Sequence, residues 1–274
     1  ERGHYLNLSD VPATVDKGPL FLSRASDGEQ LYCRAKNDFG KIPTSPLAYW
    51  VSEAVRDSFA RLPRAATLVS PREGLATGNN EQYVRSWFEV SQASIGINCE
   101  SRAHAKESSR RWFPYNKGGD FRKWSGNILF VVDWLNDGFE LQNTLHPSGS
   151  RVWAHNFNLE FIFRPFVTWS DVTSKGLTLR LFPSGYLFDA TGLSAFSIQE
   201  GDSRTLLLMA ALGNSVLGAR FSQILNPTLH FKSGNFADLP VESSVDIAAT
   251  KHCISLARTD WNAYERSWDF QSLP

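Results

Sequence analysis

An α+β fold, a mixed β-sheet flanked by helices, is what the sequence predicts, and three observations predict it. One apolar stripe at three- and four-residue spacing runs through residues 47–62. Short apolar or alternating runs, bounded by Gly, Pro and Asn, fill most of the stretch from Thr67 to Pro240. Helical periodicity returns near residues 206–225 and again after Val245.

In chain order, Gly3, Pro12, Gly18, Pro19, Gly28 and Gly40 break up any long early element. Ser45 then suits an N-cap, with Pro46 at the first helical position, where its missing N–H costs nothing. Leu47, Trp50, Val51, Val55, Phe59 and Leu62 form the stripe, and Pro63 ends it. Ile128 to Val132 reads as a buried strand. Leu177 to Phe182, a Pro183-Ser184-Gly185 turn and Tyr186 to Phe188 read as a hairpin. A helix is expected through Leu206 to Leu225, capped by Asp202 or Ser203 and stopped at Asn226-Pro227. Val245 to Leu256 is helical, and Thr259 suits the cap of a short helix reaching Ser267. The expected organisation is a connecting segment over 1–65, a sheet domain over 66–240 and a helical extension over 241–274.

Composition narrows the classes. Hydrophobic residues make up 42% and charged residues 20%, enough to bury a real core. Aromatics are abundant, with 19 Phe, 9 Trp and 7 Tyr. Most belong in the core, but Trp and Tyr also suit half-buried binding surfaces. Lys+Arg equals Asp+Glu, so any attraction to nucleic acid must come from uneven placement of charge. Cys33, Cys99 and Cys253 are odd in number and form no CxxC pair, which fits a reducing cytoplasm and gives no zinc or disulfide framework. The longest apolar runs, Ile128 to Val132 and Leu206 to Leu212, are too short to span a bilayer, so no membrane partner is expected. Glu1 opens on polar, turn-like residues with no initiator Met, as a piece of a longer chain would.

Charge gathers in Arg102 to Trp124. Arg102, Lys106, Arg110, Arg111, Lys117, Arg122 and Lys123 stand there against Glu107 and Asp120, so seven minus two gives a local +5. Trp112, Phe113, Tyr115, Phe121 and Trp124 are threaded among them. Cations interleaved with aromatics suit nucleic acid, because the cations neutralise phosphates while planar groups reach bases. The Gly118-Gly119 pair lets main-chain N–H groups approach a phosphate. A solvated basic loop over an aromatic core fits the same residues. A second patch, Asn226 to Phe236, reads as a turn and an edge strand returning to the core.

Catalytic signatures are missing. Asn226-Pro227 is followed by Thr228 and Leu229, which lack the aromatic that stacks a flipped base. No P-loop, HExxH, GxSxG or methyl-donor Gly-rich turn occurs, and no histidines sit at metal-ligand spacing. No catalytic or metal-binding residue is assigned.

Four ordered motifs carry a resemblance. Arg72-Glu73-Gly74-Leu75-Ala76-Thr77-Gly78-Asn79-Asn80 precedes Trp87-Phe88-Glu89-Val90. Trp112 to Trp124 is followed by Val131-Val132-Asp133-Trp134 and Asn136-Asp137-Gly138. Ile224 to Leu229 leads to Gly234 to Pro240, and Thr259-Asp260-Trp261 precedes Trp268-Asp269-Phe270. These motifs resemble the PglX family of adenine-specific DNA methyltransferases of bacterial phage-exclusion (BREX) systems, in family order from about Ile42 to Phe270.

The resemblance implies a fragment of a restriction–modification-like methyltransferase, whose S-adenosylmethionine site and Asn-Pro-Pro-aromatic motif lie upstream. It implies a target-recognition domain that grips double-stranded DNA, so that the upstream methyltransferase domain modifies one adenine. Arg110, Arg111, Tyr115, Asn116, Lys117, Arg122 and Lys123 are then expected to face DNA, mostly through phosphates. Trp112, Phe121 and Trp124 are expected in the core, and Asn79 or Asn80 either contacts DNA or caps a helix beginning near Glu81. The alternative is a protein-interaction module that docks other phage-exclusion subunits or a DNA-mimic inhibitor. A cytoplasmic location is expected in either case.

Overall fold

The computed structural model describes residues 2–271, so Glu1 and residues 272–274, the end of the expected helical extension, lie outside it. The fold is α+β. The chain divides into two compact units, one up to Pro63 and one from Arg64 onward.

In the first unit β1 (Arg2–Leu6) pairs antiparallel with β2 (Leu31–Ala35), and α1 (Lys17–Asp27) lies between them in sequence. The helix starts at Asp16, whose carboxylate accepts from the Gly18 N–H. Short α2 (Lys36–Phe39) and α3 (Glu53–Arg61) follow. The amphipathic helix therefore begins seven residues later than Pro46. Thr44 and Ser45 have φ of 63° and 49°, so the chain turns there instead of entering a helix. Ser52 is the actual cap, accepting from the Val55 N–H. Leu47 and Trp50 consequently stay exposed, while Val51 and Phe59 are buried.

Among the described residues the second unit holds two four-stranded sheets where one was expected. The first is antiparallel, in the order β3 (Val69–Arg72), β10 (Ser194–Ser197), β7 (Phe166–Thr168), β8 (Arg180–Phe182). Pro71 falls on its edge strand, where a missing N–H breaks no ladder bond. The second is mixed, in the order β4 (Val84–Ser86), β6 (Phe130–Asp133), β5 (Trp112–Asn116), β9 (Leu187–Phe188), with β9 parallel to β5. The expected hairpin does not form. Gly185, at φ 103°, turns the chain out of one sheet and into the other, so β8 and β9 never pair.

Aromatic side chains fill the core that both sheets share. Phe113 and Tyr115 of β5 join Phe166, Phe182 and Phe196 of the first sheet in one buried cluster. Phe166 and Phe182 stack at 5.2 Å, and Phe113 meets Phe163 edge-on at 5.7 Å.

Helices complete the unit. Asn79 caps α4 (Asn80–Tyr83), its side chain accepting from the Gln82 N–H, so capping is its role here. Short α5 (Arg102–Glu107) leads toward β5. Helical segment α6 (Leu135–Asn143) opens with Asn136, Asp137 and Gly138 at φ 51°, 61° and 72°. Asn, Asp and Gly are the residues that tolerate this left-handed turn. The single helix expected through Leu225 is two, α7 (Ser203–Asn214) and α8 (Val216–Leu225), bent by 77°. Asp202 caps the first and Ser215 the second. Short α9 (Ser233–Ala237) precedes α10 (Ile247–Asn262), which packs against α7. Thr259 lies inside α10 and caps no separate helix. No single helix among the described residues is long and apolar enough to cross a membrane.

Candidate nucleic-acid interface

The basic-aromatic stretch is divided by β5. Arg110 is exposed just before the strand, and Arg111 is held by Asp133 at 2.7 Å. Arg122 and Lys123 lie beyond the other end, separated by five strand residues, roughly 17 Å at ~3.3 Å per residue. The seven expected DNA-facing residues therefore do not form one patch.

Tyr115 and Asn116 correct the sequence reading, because both are buried: they point to opposite faces of β5, and both faces of that strand are covered. The Tyr115 hydroxyl donates to the Leu75 carbonyl at 2.7 Å and contacts the Asp189 carboxylate at 2.8 Å. Burial, reinforced by Asp189, pushes that phenol well above its ordinary pKa, so it stays protonated. The Asn116 amide donates to Thr168 of β7 at 2.8 Å and to the Gly192 carbonyl at 3.1 Å, tying the two sheets together. Its oxygen accepts from the Gly118 N–H. Lys117 is half-buried against Asp189 at 2.7 Å.

Ion pairing reduces the local charge. Arg102 pairs with Asp137, Arg111 with Asp133, Lys117 with Asp189 and Arg122 with Asp260, so four of the seven cations meet a carboxylate from another part of the chain. Sequence proximity hid these partners. Asp133 and Asp189 are buried, whereas the Arg122–Asp260 pair is more exposed and contributes little stability, roughly 0–1 kcal/mol.

After β5 the chain leaves the sheet. Gly118 and Gly119 have φ of 73° and 116°, a conformation that L side chains rarely adopt. The loop then runs along β8: the Trp124 N–H donates to the Leu179 carbonyl at 2.7 Å, and the Leu181 N–H donates to the Trp124 carbonyl at 2.9 Å. Phe121 is 44% exposed rather than in the core, with the Lys175 ammonium 5.7 Å from its ring. Lys123 donates to the Asn214 carbonyl at the end of α7, where a cation suits the helix dipole. Trp112 is buried as expected, and Trp124 is half-buried.

Both sequence patches converge here. The Thr173 N–H donates to the Leu229 carbonyl at 3.0 Å, and the Phe231 N–H to the Asp171 carbonyl at 2.9 Å. Lys232 reaches the Asp171 carboxylate at 2.7 Å. Three loops, carrying Gly119 to Phe121, Ser170 to Thr178 and Leu229, line a cleft of about 600 Å³. Sequence reasoning missed Ser170, Lys175 and the carboxylate hubs Asp171 and Asp189. Only Arg180 left a signal, as a charge on the strand face that also carries Phe182.

The Asn226 amide donates to His230 and Asn235, and its oxygen accepts from the Thr228 N–H, so the whole group is engaged locally.

Two of the motifs that carry the resemblance meet directly, and two further motif residues contact neighbouring segments. The Arg122 guanidinium lies 5.1 Å from the Trp261 ring and bonds Asp260 at 2.8 Å. The Trp87 indole donates to the Arg266 carbonyl at 3.0 Å, and Trp268 stacks on Tyr186 at 6.2 Å. No family model matches the chain. It is 39% identical over 277 residues to the adenine-specific methyltransferase PglX of Lacticaseibacillus casei (strain Zhang), covering 98% of this chain and 22% of that protein. It is 34% identical over 237 residues to the adenine-specific methyltransferase BrxX of Escherichia coli O9:H4 (strain HS), covering 86% of this chain and 18% of that protein. The chain thus spans about a fifth of the length of the curated relatives it matches. Over nearly its whole length, this chain is homologous to a segment of the PglX-type proteins.

Proposed function

We propose that the chain is the DNA-binding target-recognition region of a site-specific adenine-N6 DNA methyltransferase in phage defence, with methyl transfer performed outside it. The observation that carries this reading is the convergence of three loops around one cleft. They bring Lys175 and the exposed ring of Phe121 beside the segment that bears Arg122 and Lys123. Loops held on two rigid sheets are a common way to present side chains to a groove. The expected partners are double-stranded DNA and the methyltransferase domain, with S-adenosylmethionine as that domain's methyl donor. Its place would be cytoplasmic. Fluorescence anisotropy of a labelled random duplex, from low to physiological salt, tests the reading. Affinity falling steeply with salt is expected, and no binding at low salt would remove it.

One observation favours a second reading. Four of the seven cations are already paired, and Phe88, Phe121, Phe139 and Leu229 are exposed. A surface of that kind also suits docking of other phage-exclusion subunits or a DNA-mimic inhibitor. Capture of such a partner from nuclease-treated lysate, together with absent duplex binding, is the outcome that selects it.

A further inference from the structure

Arg180 sits fully buried on β8. Among the described residues it forms no ion pair with a carboxylate, and its Nε has no hydrogen-bond partner. Its other nitrogens donate to the Arg122 carbonyl and to the Ser170 hydroxyl, each at 3.4 Å, the long limit for such bonds. Burial, and the like charge of Arg122 after it, lower its pKa to about 10, so it remains a cation at neutral pH. A buried charge without a counter-ion is costly, and structures keep one where something outside balances it.

The way out from Arg180 is short. Ser170 Oγ accepts from the guanidinium and donates to the Gly119 carbonyl at 2.7 Å. Both Ser170 and Gly119 line the 600 Å³ cleft, beside Lys175. The amides of Gly119, Asp120 and Phe121 donate to no protein acceptor among the described residues. Asp120 also lines the cleft, and its negative charge opposes an anion there.

We infer that this cleft binds a phosphate group. Lys175 and the Gly119 to Phe121 amides reach its oxygens, and Arg180, acting through Ser170, supplies the balancing charge from beneath. The inference rests on the proposed function only in taking the duplex backbone as the source of the phosphate; free phosphate offers the same chemistry.

The test uses the whole chain and an Arg180→Met variant. Thermal unfolding is followed with inorganic phosphate and with chloride at matched ionic strength, and anisotropy with a random duplex. Wild type is expected to melt higher in phosphate than in chloride. Arg180→Met, freed of a buried charge, is expected to melt no lower than wild type in chloride and to lose the phosphate-specific rise. General salting effects act on both proteins alike, so the difference isolates the site. Duplex affinity of the variant should fall about tenfold, with a salt slope smaller by about one. An equal phosphate response in both proteins, or none in either, overturns the inference. Should Arg180→Met not fold, the Ser170→Ala/Lys175→Gln double variant decides, and a full phosphate response in it overturns the site. Absence of duplex binding by wild type counts against the DNA reading alone, because the phosphate arm still decides the cleft. A phosphate response in wild type that Arg180→Met lacks, without duplex binding, supports the cleft with free phosphate as the source.

Discussion

Residues 110–117 and 118–124 are built from the same material, aromatic rings among cations, yet one half is scaffold and the other is surface. The first half runs through β5, with β6 on one side and β9 on the other. Backbone pairing on both edges and an aromatic core fix every side chain from Trp112 to Asn116 in a buried place. The second half opens with two left-handed glycines, forms a backbone bridge to a strand only at Trp124 among the described residues, and leaves Phe121 exposed. Composition does not separate the halves. The number of partners the backbone finds does.

The largest expected break in this contrast comes from the rings. Phe113→Ala should cost about 3–5 kcal/mol, since a fully buried ring leaves a cavity. Phe121→Ala should stay within ~0.5 kcal/mol. Urea unfolding measures both, and equal losses would erase the distinction. Next is Tyr115→Phe, which strips a donor from buried Asp189 and from the Leu75 carbonyl. A loss of about 1–3 kcal/mol is expected, and a neutral change would mean that the hydroxyl contributes nothing to this buried hydrogen-bond network. Gly118→Ala sharpens the boundary between the halves. At φ 73° an added Cβ would also lie 2.9 Å from the Thr191 carbonyl oxygen, so a stability loss of about 1–2 kcal/mol, seen as a lower Tm, is expected. Smallest is Arg122→Gln with Lys123→Gln, which loses the pair with Asp260, the contact over the Trp261 ring and the bond to the Asn214 carbonyl, and should change stability by about 1 kcal/mol.

Local signals were legible where they act locally. Asp202 as a cap, Asn226-Pro227 as a stop and the buried run around Val131 all follow from neighbouring residues, and the structure has each. Ser45-Pro46 was misleading because Ser52 offers a cap as good, and the turn before it needs positive φ. The hairpin at Gly185 failed for a different reason. Alternation says that two strands exist but not which sheet each joins, and β9 found β5 instead. At the candidate site, the cations were visible and their carboxylates were not, since Asp133, Asp189 and Asp260 lie 22, 72 and 138 residues from their partners.

The most direct measurement compares duplex affinity of wild type and the Arg122→Gln/Lys123→Gln variant by anisotropy, across salt concentrations. Wild-type binding that weakens steeply with salt is expected, with a slope for the variant shallower by about two and weaker binding at low salt. Superimposable curves, or no dependence on salt, would contradict a DNA interface on this loop.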